Sequence, residues 1–331
     1  MVNVILTLAL LLVYLDHYNL LGKLSLLVFL NLLVPFLVGI NLLFLIYWII
    51  LKSNMALLSA IVLVPCYFIF GSFFRVLGSN SNVDSGDIRI LTFNVHAFAG
   101  PHGRNNGVLA EDVPHFISEQ NADIITIQEF TYINDDTLDR YPYRYINYSG
   151  RFSEGYVNQA IYSKYPIISK GSLDFPESQN NAIYADIVVT SDTLRIYNVH
   201  LQSLSFRLGA VKREEPQRLY KRLGKALGQQ EEQATFILNH MKRTHHKKII
   251  AGDFNNTQFS RTYRKFKGDF KDTFIERGSG LGSTYHLRLL PFRIDFILLD
   301  PSLEVTAHRN FDVQLSDHKP VMASFRLHGD E

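Results

Sequence analysis

A single cysteine in 331 residues, Cys66, excludes a disulfide framework and a thiolate metal site. Its place inside an apolar run is compatible with either side of a membrane. A formal net charge of +2 removes bulk electrostatics as a way of holding nucleic acid. No internal repeat is visible. The one glycine-rich run, GSGLGSTYH, is followed by no helix pattern, so it reads as an active-site loop and not as a nucleotide-binding fingerprint. The most uneven shortage is of charge in the first 77 residues, where Asp16, Lys23, Lys52 and Arg75 are the only ionised side chains.

That shortage predicts a membrane-embedded N-terminal segment over residues 1–77. The stretch 24–51 carries no charge and exceeds the roughly 20 residues a helix needs to cross a bilayer. Pro35 and Gly39 would kink such a helix without excluding it. A second span is expected at 55–77, with Tyr67 and Phe73-Phe74 as interfacial anchors. A third, at 2–15, lacks the basic start and small-residue cleavage site of a signal peptide. A buried helical bundle is the competing reading; charge-free runs this long are rare outside membranes. Three spans place the termini on opposite sides. Lys52, between the second and third, makes that loop cytoplasmic and turns the large domain to the extracytoplasmic side. Lys23 and Arg75 dilute the argument. The expectation is a multi-pass protein of the lipid bilayer, the inner membrane if the source is bacterial.

The remainder has the size of one large domain. Residues 78–87 (GSNSNVDSGD) suit a flexible linker, leaving 88–331 as the domain itself. Apolar, β-branched runs predict strands at 88–95, 124–128, 160–162, 183–190, 194–200, 248–252, 294–299 and 321–327. Helical patterns occupy 108–120 and 212–245. Strands alternating with helices in a domain of this size favour an α/β (α+β) fold of two packed sheets, or one large mixed sheet, flanked by helices.

Six polar clusters close or open these runs. Asn94 ends the run IRILTF, where it serves as a turn residue or a ligand. Glu129 ends ADIITI, so its carboxylate is either solvated or placed to bind a cation. Ligation by oxygen alone, with one or two carboxylates, is what Mg²⁺ demands. His200, in NVHLQ, stands where an imidazole can donate to a phosphate oxygen as charge develops. Asp253 and Asn255, in AGDFNN, are two apart, so on extended backbone both leave on one face. Asp295 lies in RIDFIL, and Asp317-His318 in SDHKPV. A carboxylate arriving from another strand fixes the tautomer of such a histidine, and Asp295 is the natural candidate.

In this order TFNVH, IQE, NVHLQS, AGDFNN, RIDFIL and SDHKPV resemble the motif series of the endonuclease/exonuclease/phosphatase superfamily, with its deoxyribonuclease-I-like fold, here of a membrane-anchored bacterial type. The resemblance spans residues 88–328. It implies a four-layered αββα sandwich, behind the all-helical transmembrane segment, that cleaves phosphoester bonds with Mg²⁺ or Mn²⁺. It implies Glu129 as principal metal ligand, with Asn94 and Asp317 at the same site. It implies His200 on the scissile phosphate, Asp253 orienting or activating the attacking water, and Asn255 binding phosphate. Asp295 matches the carboxylate partner of His318, itself a general base or phosphate-stabilising group. GYVNQAIYSKYPI loosely matches the strand after the second motif, making Asn158 a contributor to the phosphate pocket.

Substrate stays open between nucleic acid and a phospholipid head group or phosphorylated small molecule, because fold does not fix substrate. A basic stretch within 206–248, including Lys221-Arg222 and Lys247-Lys248, either faces a polyanion or is a solvated helix face balanced by Glu214, Glu215, Glu231 and Glu232. No feature calls for an obligate protein partner. The rival reading is a catalytically silent, membrane-anchored binding protein on the same fold, and the completeness of the motif set argues against it.

Overall fold

All eight runs expected as strands form strands in the computed structural model, which describes residues 1–17, 30–70, 75, 78, 84–100, 108–131, 136–147, 158–205, 215–287 and 290–327. Residues 18–29 of the apolar segment, 79–83 of the expected linker and 206–214 of the basic stretch lie outside that set.

The chain divides into two units. The larger comprises Phe74–Ser203, Glu232–Asn255 and Lys265–Glu331. Its strands are β1 (Ile88–Asn94), β2 (Ile124–Phe130), β3 (Tyr143–Asn147), β4 (Asn158–Ser163), β5 (Ile167–Asp174), β6 (Asn181–Val189), β7 (Asp192–His200), β8 (Lys247–Asp253), β9 (Lys271–Asp272), β10 (Tyr285–Leu287), β11 (Leu290–Phe292), β12 (Asp295–Leu299), β13 (Leu303–Asn310) and β14 (Val321–Leu327). They make two six-stranded sheets, β13-β14-β1-β2-β4-β3 and β5-β6-β7-β8-β12-β9, and a β10-β11 hairpin. Ile90, Ile124, Ile161 and Phe325 of the first sheet share one buried cluster with Ile183, Ile196, Ile249 and Ile297 of the second, so the sheets pack face to face. The outer face of the first sheet is covered by helix α4 (Asp112–Glu119) through Val113 and Ile117. Helix α5 (Pro216–Met241) meets the second through ring contacts of Phe236 with Phe175 and of His240 with Tyr184. Strands buried on both faces do not alternate polar with apolar, which is why β1, β2 and β8 read as continuous apolar runs.

Each sheet contains one parallel pair, β1-β2 and β7-β8; every other pairing is antiparallel. A parallel pair needs a long crossover, supplied here by the segments holding α4 and α5. Carboxyl ends of parallel strands are where open α/β sheets bind ligands, and Asn94, Phe130, His200 and Asp253 are the last residues of these four strands. Gly252 permits the approach there: its φ is +139°, and a Cβ would lie 2.0 Å from the carbonyl oxygen of Val199.

The smaller unit comprises Met1–Phe73, Leu204–Glu231 and Asn256–Arg264. Its helices α1 (Val2–His17), α2 (Val34–Ile50) and α3 (Ala56–Phe70) have 16, 17 and 15 residues. Pro35 falls in the first turn of α2, where its missing N–H leaves no bond unmade. The 24–51 run is thus divided at a turn around Leu33 and ends at a turn over Leu51 and Lys52. Seventeen residues rise about 26 Å, short of a hydrocarbon core of roughly 30 Å. Among the described residues no helix is long and apolar enough to cross a membrane. This corrects the three expected transmembrane spans, and with them the multi-pass membrane location and the extracytoplasmic placement of the large domain.

Polar side chains buried among these three helices pair with one another. Asn3 donates to Ser59 Oγ at 3.0 Å, Thr7 to Asn41 Oδ1 at 3.0 Å, and Trp48 Nε1 to Asn3 Oδ1 at 3.1 Å. The fully buried Asp16 carboxylate accepts from Asn31 Nδ2 at 2.9 Å and from the Arg261 guanidinium. Leu10, Val13, Val34, Leu37, Val62 and Cys66 pack between them. Burial pushes the Cys66 thiol up to about 12, so it supplies no nucleophile. Leu43, Ile50, Leu57, Ile61 and Phe68 remain exposed.

Candidate active site

Register brings the expected residues together from both sheets. Across β7-β8, His200 stands opposite Asp253, and across β8-β12, Asp253 stands opposite Asp295. In the other sheet Asn94 pairs with Gln128, one residue before Glu129. The β2-β4 register slips between Ile127 and Phe130, and Glu129 takes a left-handed φ of 51°. Such a bulge re-aims a side chain. Asn158 is the first residue of β4, opposite Phe130 and buried, on the strand beside that bulge.

Asn94 links the sheets. Its Nδ2 donates to Glu129 Oε1 at 3.2 Å and to Asp253 Oδ2 at 3.0 Å, while its Oδ1 accepts the His96 N–H at 3.1 Å. Asp253 Oδ1 also accepts the Asn255 N–H at 2.7 Å, and Oδ2 the Asn255 amide at 3.2 Å. His318 Nδ1 lies 2.9 Å from Asp295 Oδ2, and its Nε2 lies 3.7 Å from Asp253 Oδ2. His200 Nε2 faces Glu129 at 3.7 Å and Asp253 at 3.6 Å; its buried Nδ1 has no hydrogen-bond partner among the described residues. Asp317 sits at the rim, with Oδ1 3.5 Å from His96 Nδ1.

The charges are set by burial and by each other. Burial pushes the Asp253 carboxyl up to about 7; Asp295 adds to this and His318 opposes it. Burial alone would lower His318, but Asp295 and Asp253 outweigh it and raise the imidazole well above its ordinary value. His200 is lowered, chiefly by burial and despite the Glu129 charge. Burial raises Glu129, yet His200, the Asn94 amide, His318 and His96 together bring it below the usual value. The result is an ionised carboxylate at Glu129, a neutral buried imidazole at His200, a cationic imidazole at His318, and a carboxyl at Asp253 poised near neutrality.

Among the described residues, Asp253, Asp295 and His318 place one ligand atom each within 4.8 Å of one another. These atoms already bond to each other or to amides, which suits a shared proton better than a cation. Glu129 differs. Its side chain is 29% exposed, and it offers hard oxygen beside the Asn94 amide and the buried Asp253 carboxyl. A hard divalent cation fits this donor set, since Mg²⁺ keeps several waters and takes only one or two carboxylates.

Several residues acting here lie inside the motifs but escape a sequence reading. Gln128 Nε2 donates to Asn198 Oδ1 at 2.6 Å, and Asn198 Nδ2 donates to the carbonyls of Ile127 at 2.9 Å and Ala160 at 3.0 Å. They tie the sheets together immediately before Glu129 and His200. Ser316 Oγ donates to the Asn94 carbonyl at 2.8 Å, joining the His318 turn to β1. His96, Ala97 and Phe98 all have positive φ, and strain of this kind clusters at functional sites. Only their position next to motif residues could have signalled them.

A family profile described as "Endonuclease/Exonuclease/phosphatase family" matches residues 91–318, and a domain of unknown function, DUF8431, matches residues 1–73. No curated protein matches the sequence. Among solved structures, an endonuclease/exonuclease/phosphatase from Beutenbergia cavernae DSM 12333 is similar with a TM-score of 0.54 and 17% identity, over 73% of this chain and 72% of that one. D. rerio TDP2 complexed with single strand DNA product gives 0.53 and 15%, over 73% and 100%. The endonuclease/exonuclease/phosphatase from Bacteroides vulgatus gives 0.50 and 18%, over 73% and 99%. At these identities the likeness is one of fold.

Proposed function

Because the chain belongs to the endonuclease/exonuclease/phosphatase family, as a hydrolase-type fold over residues 91–318, we propose that it is a divalent-metal-dependent hydrolase of a phosphodiester or phosphomonoester. The observation that carries this reading is the meeting of Asn94, Glu129, His200, Asp253, Asn255, Asp295 and His318 at the carboxyl ends of two parallel strand pairs, with their charges set apart by burial. Groups whose environments drive their proton affinities apart mark acid and base assignments.

Glu129, with Asn94 and Asp317, would hold Mg²⁺ or Mn²⁺, which when bound polarises a phosphoryl oxygen and stabilises the leaving group. Asp253 takes the proton of the attacking water, its carboxyl being near neutrality. The Asn255 amide, now on Asp253 and the Leu201 carbonyl, turns to a phosphate oxygen. His318, kept cationic by Asp295, donates to the charge that grows on phosphate. His200, neutral and 2% exposed, donates from Nε2 to the same group. Asn158, buried on the strand beside the Glu129 bulge, would contribute to the phosphate pocket. The substrate is a nucleic acid or a phosphorylated small molecule or head group.

The test is a panel of DNA, RNA, phospholipid head groups and phosphomonoesters incubated with the purified full chain. Turnover of one class with Mg²⁺ or Mn²⁺ is expected, falling at least about 10²-fold when EDTA removes the metal and returning on its re-addition. A folded protein that cleaves nothing on the panel in either metal would instead favour the catalytically silent binding protein.

A further inference from the structure

His318 acts only if Asp295 meets its Nδ1, and Asp295 is the first residue of its strand, where backbone pairing is weakest. What holds it is Thr284, which is fully buried. The Thr284 hydroxyl accepts two backbone N–H groups, from Ile294 at 3.0 Å and from Asp295 at 3.1 Å. Its own backbone N–H donates to the Phe292 carbonyl at 2.8 Å, and its carbonyl accepts the Lys319 N–H at 2.7 Å. One residue thus grips the chain at Asp295 and again one residue past His318. The next residue continues the grip: Tyr285 forms a β-bridge with His318, and the two rings lie 5.1 Å apart.

We propose that Thr284 is a positioning residue that sets the Asp295–His318 hydrogen bond. Buried N–H groups must be paired. Without the hydroxyl, the Ile294 and Asp295 amides have no acceptor at this point, and the chain relaxes toward one by turning about the residue that carries the carboxylate. A displacement well below the length of a hydrogen bond is enough to spoil proton handling. Serine keeps the acceptor and loses only a methyl group; valine keeps the shape and loses the acceptor. That contrast separates positioning from packing.

The kinetic part rests on the phosphoesterase reading, so the experiment has a second arm that does not. For the purified full chain with Mg²⁺, Thr284→Val is expected to lower kcat by about 10- to 10²-fold with KM little changed, and Thr284→Ser to restore it to within about 3-fold of the parent. In proton NMR the Nδ1–H of His318, identified by its loss in Asp295→Asn, is expected downfield in the parent and in Thr284→Ser, and broadened or absent in Thr284→Val. A Thr284→Val protein with parental kcat and an unchanged resonance overturns the proposal, as does a Thr284→Ser protein as impaired as the valine variant. If the parent hydrolyses nothing, the phosphoesterase reading falls and the resonance alone decides the role of Thr284. Should Thr284→Val not fold, Thr284→Ala is read by the same two measurements.

Discussion

Substituting asparagine for Asp253 is expected to lower kcat by about 10³-fold or more while leaving the fold as stable as before. The loss follows from chemistry: the carboxyl that burial has raised to about 7 is replaced by an amide that takes no proton. The unchanged stability follows from linkage. A carboxyl whose folded pKa lies above its unfolded value of 3.8 holds a proton in the native state that the unfolded chain has released. Ionising it across that window, from 3.8 to about 7, therefore costs native stability as pH rises. Asp295 stands directly across the strand pair, and asparagine relieves that repulsion while keeping shape. Its amide faces the Asn94 and Asn255 donors less well, a smaller opposing effect of about 1 kcal/mol. Steady-state kinetics and thermal unfolding on the same preparation check both halves. An Asp253→Asn protein with near-parental turnover would remove Asp253 from proton transfer, and one that unfolds far earlier would show its role to be structural.

The second large effect is expected away from the site, on acid stability. His308 is buried in the larger unit, with Nδ1 2.8 Å from the Thr273 hydroxyl and Nε2 3.0 Å from Asn310 Oδ1. Both ring nitrogens are thereby engaged, and the Thr273 hydroxyl itself donates to the Ile297 carbonyl at 3.1 Å. Protonation would place a positive charge inside the core, with the Arg293 guanidinium opposing it. Burial holds the imidazole down to about 4, against 6.5 in the unfolded chain; Asp272 and Asn310 offset this only in part. Between pH 6.5 and about 4 the unfolded chain therefore binds the extra proton. The stability contribution is fully present above 6.5 and is lost as pH falls through this window, by up to about 3 kcal/mol. Urea midpoints at pH 7.5 and 4.5 should show this loss in the parent and much less of it in His308→Gln. Equal acid sensitivity in both proteins would refute it.

The strands were legible because burial on both faces demands apolar runs, and the runs from 88 to 327 have no rival use in a domain of this size. The edge strands β3, β5 and β13 were not. Arg144, Lys170 and Arg309 interrupt their apolar pattern, as suits edge or half-solvated strands. The glycine-rich loop told little of Thr284 for a different reason. Its part is played by accepting backbone N–H groups, and any residue can offer those to a hydroxyl that folding brings near.

By itself the sequence determined the order of the strands' apolar runs and the polar residues that end or open them, since strand burial and strand ends are local properties. Only the tertiary structure decided that Asn94 bridges two sheets, that Asp253 stands between His200 and Asp295, and that Glu129 turns out of its strand at a bulge. Register and sheet packing are long-range and leave no mark on spacing. The N-terminal helices illustrate the same division. Charge-free composition is needed both by a helix in lipid and by one packed on its neighbours. The turn at Leu33, the turn at Lys52 and the interhelical pairs of Asn3, Thr7 and Asp16 appear only once the chain is folded.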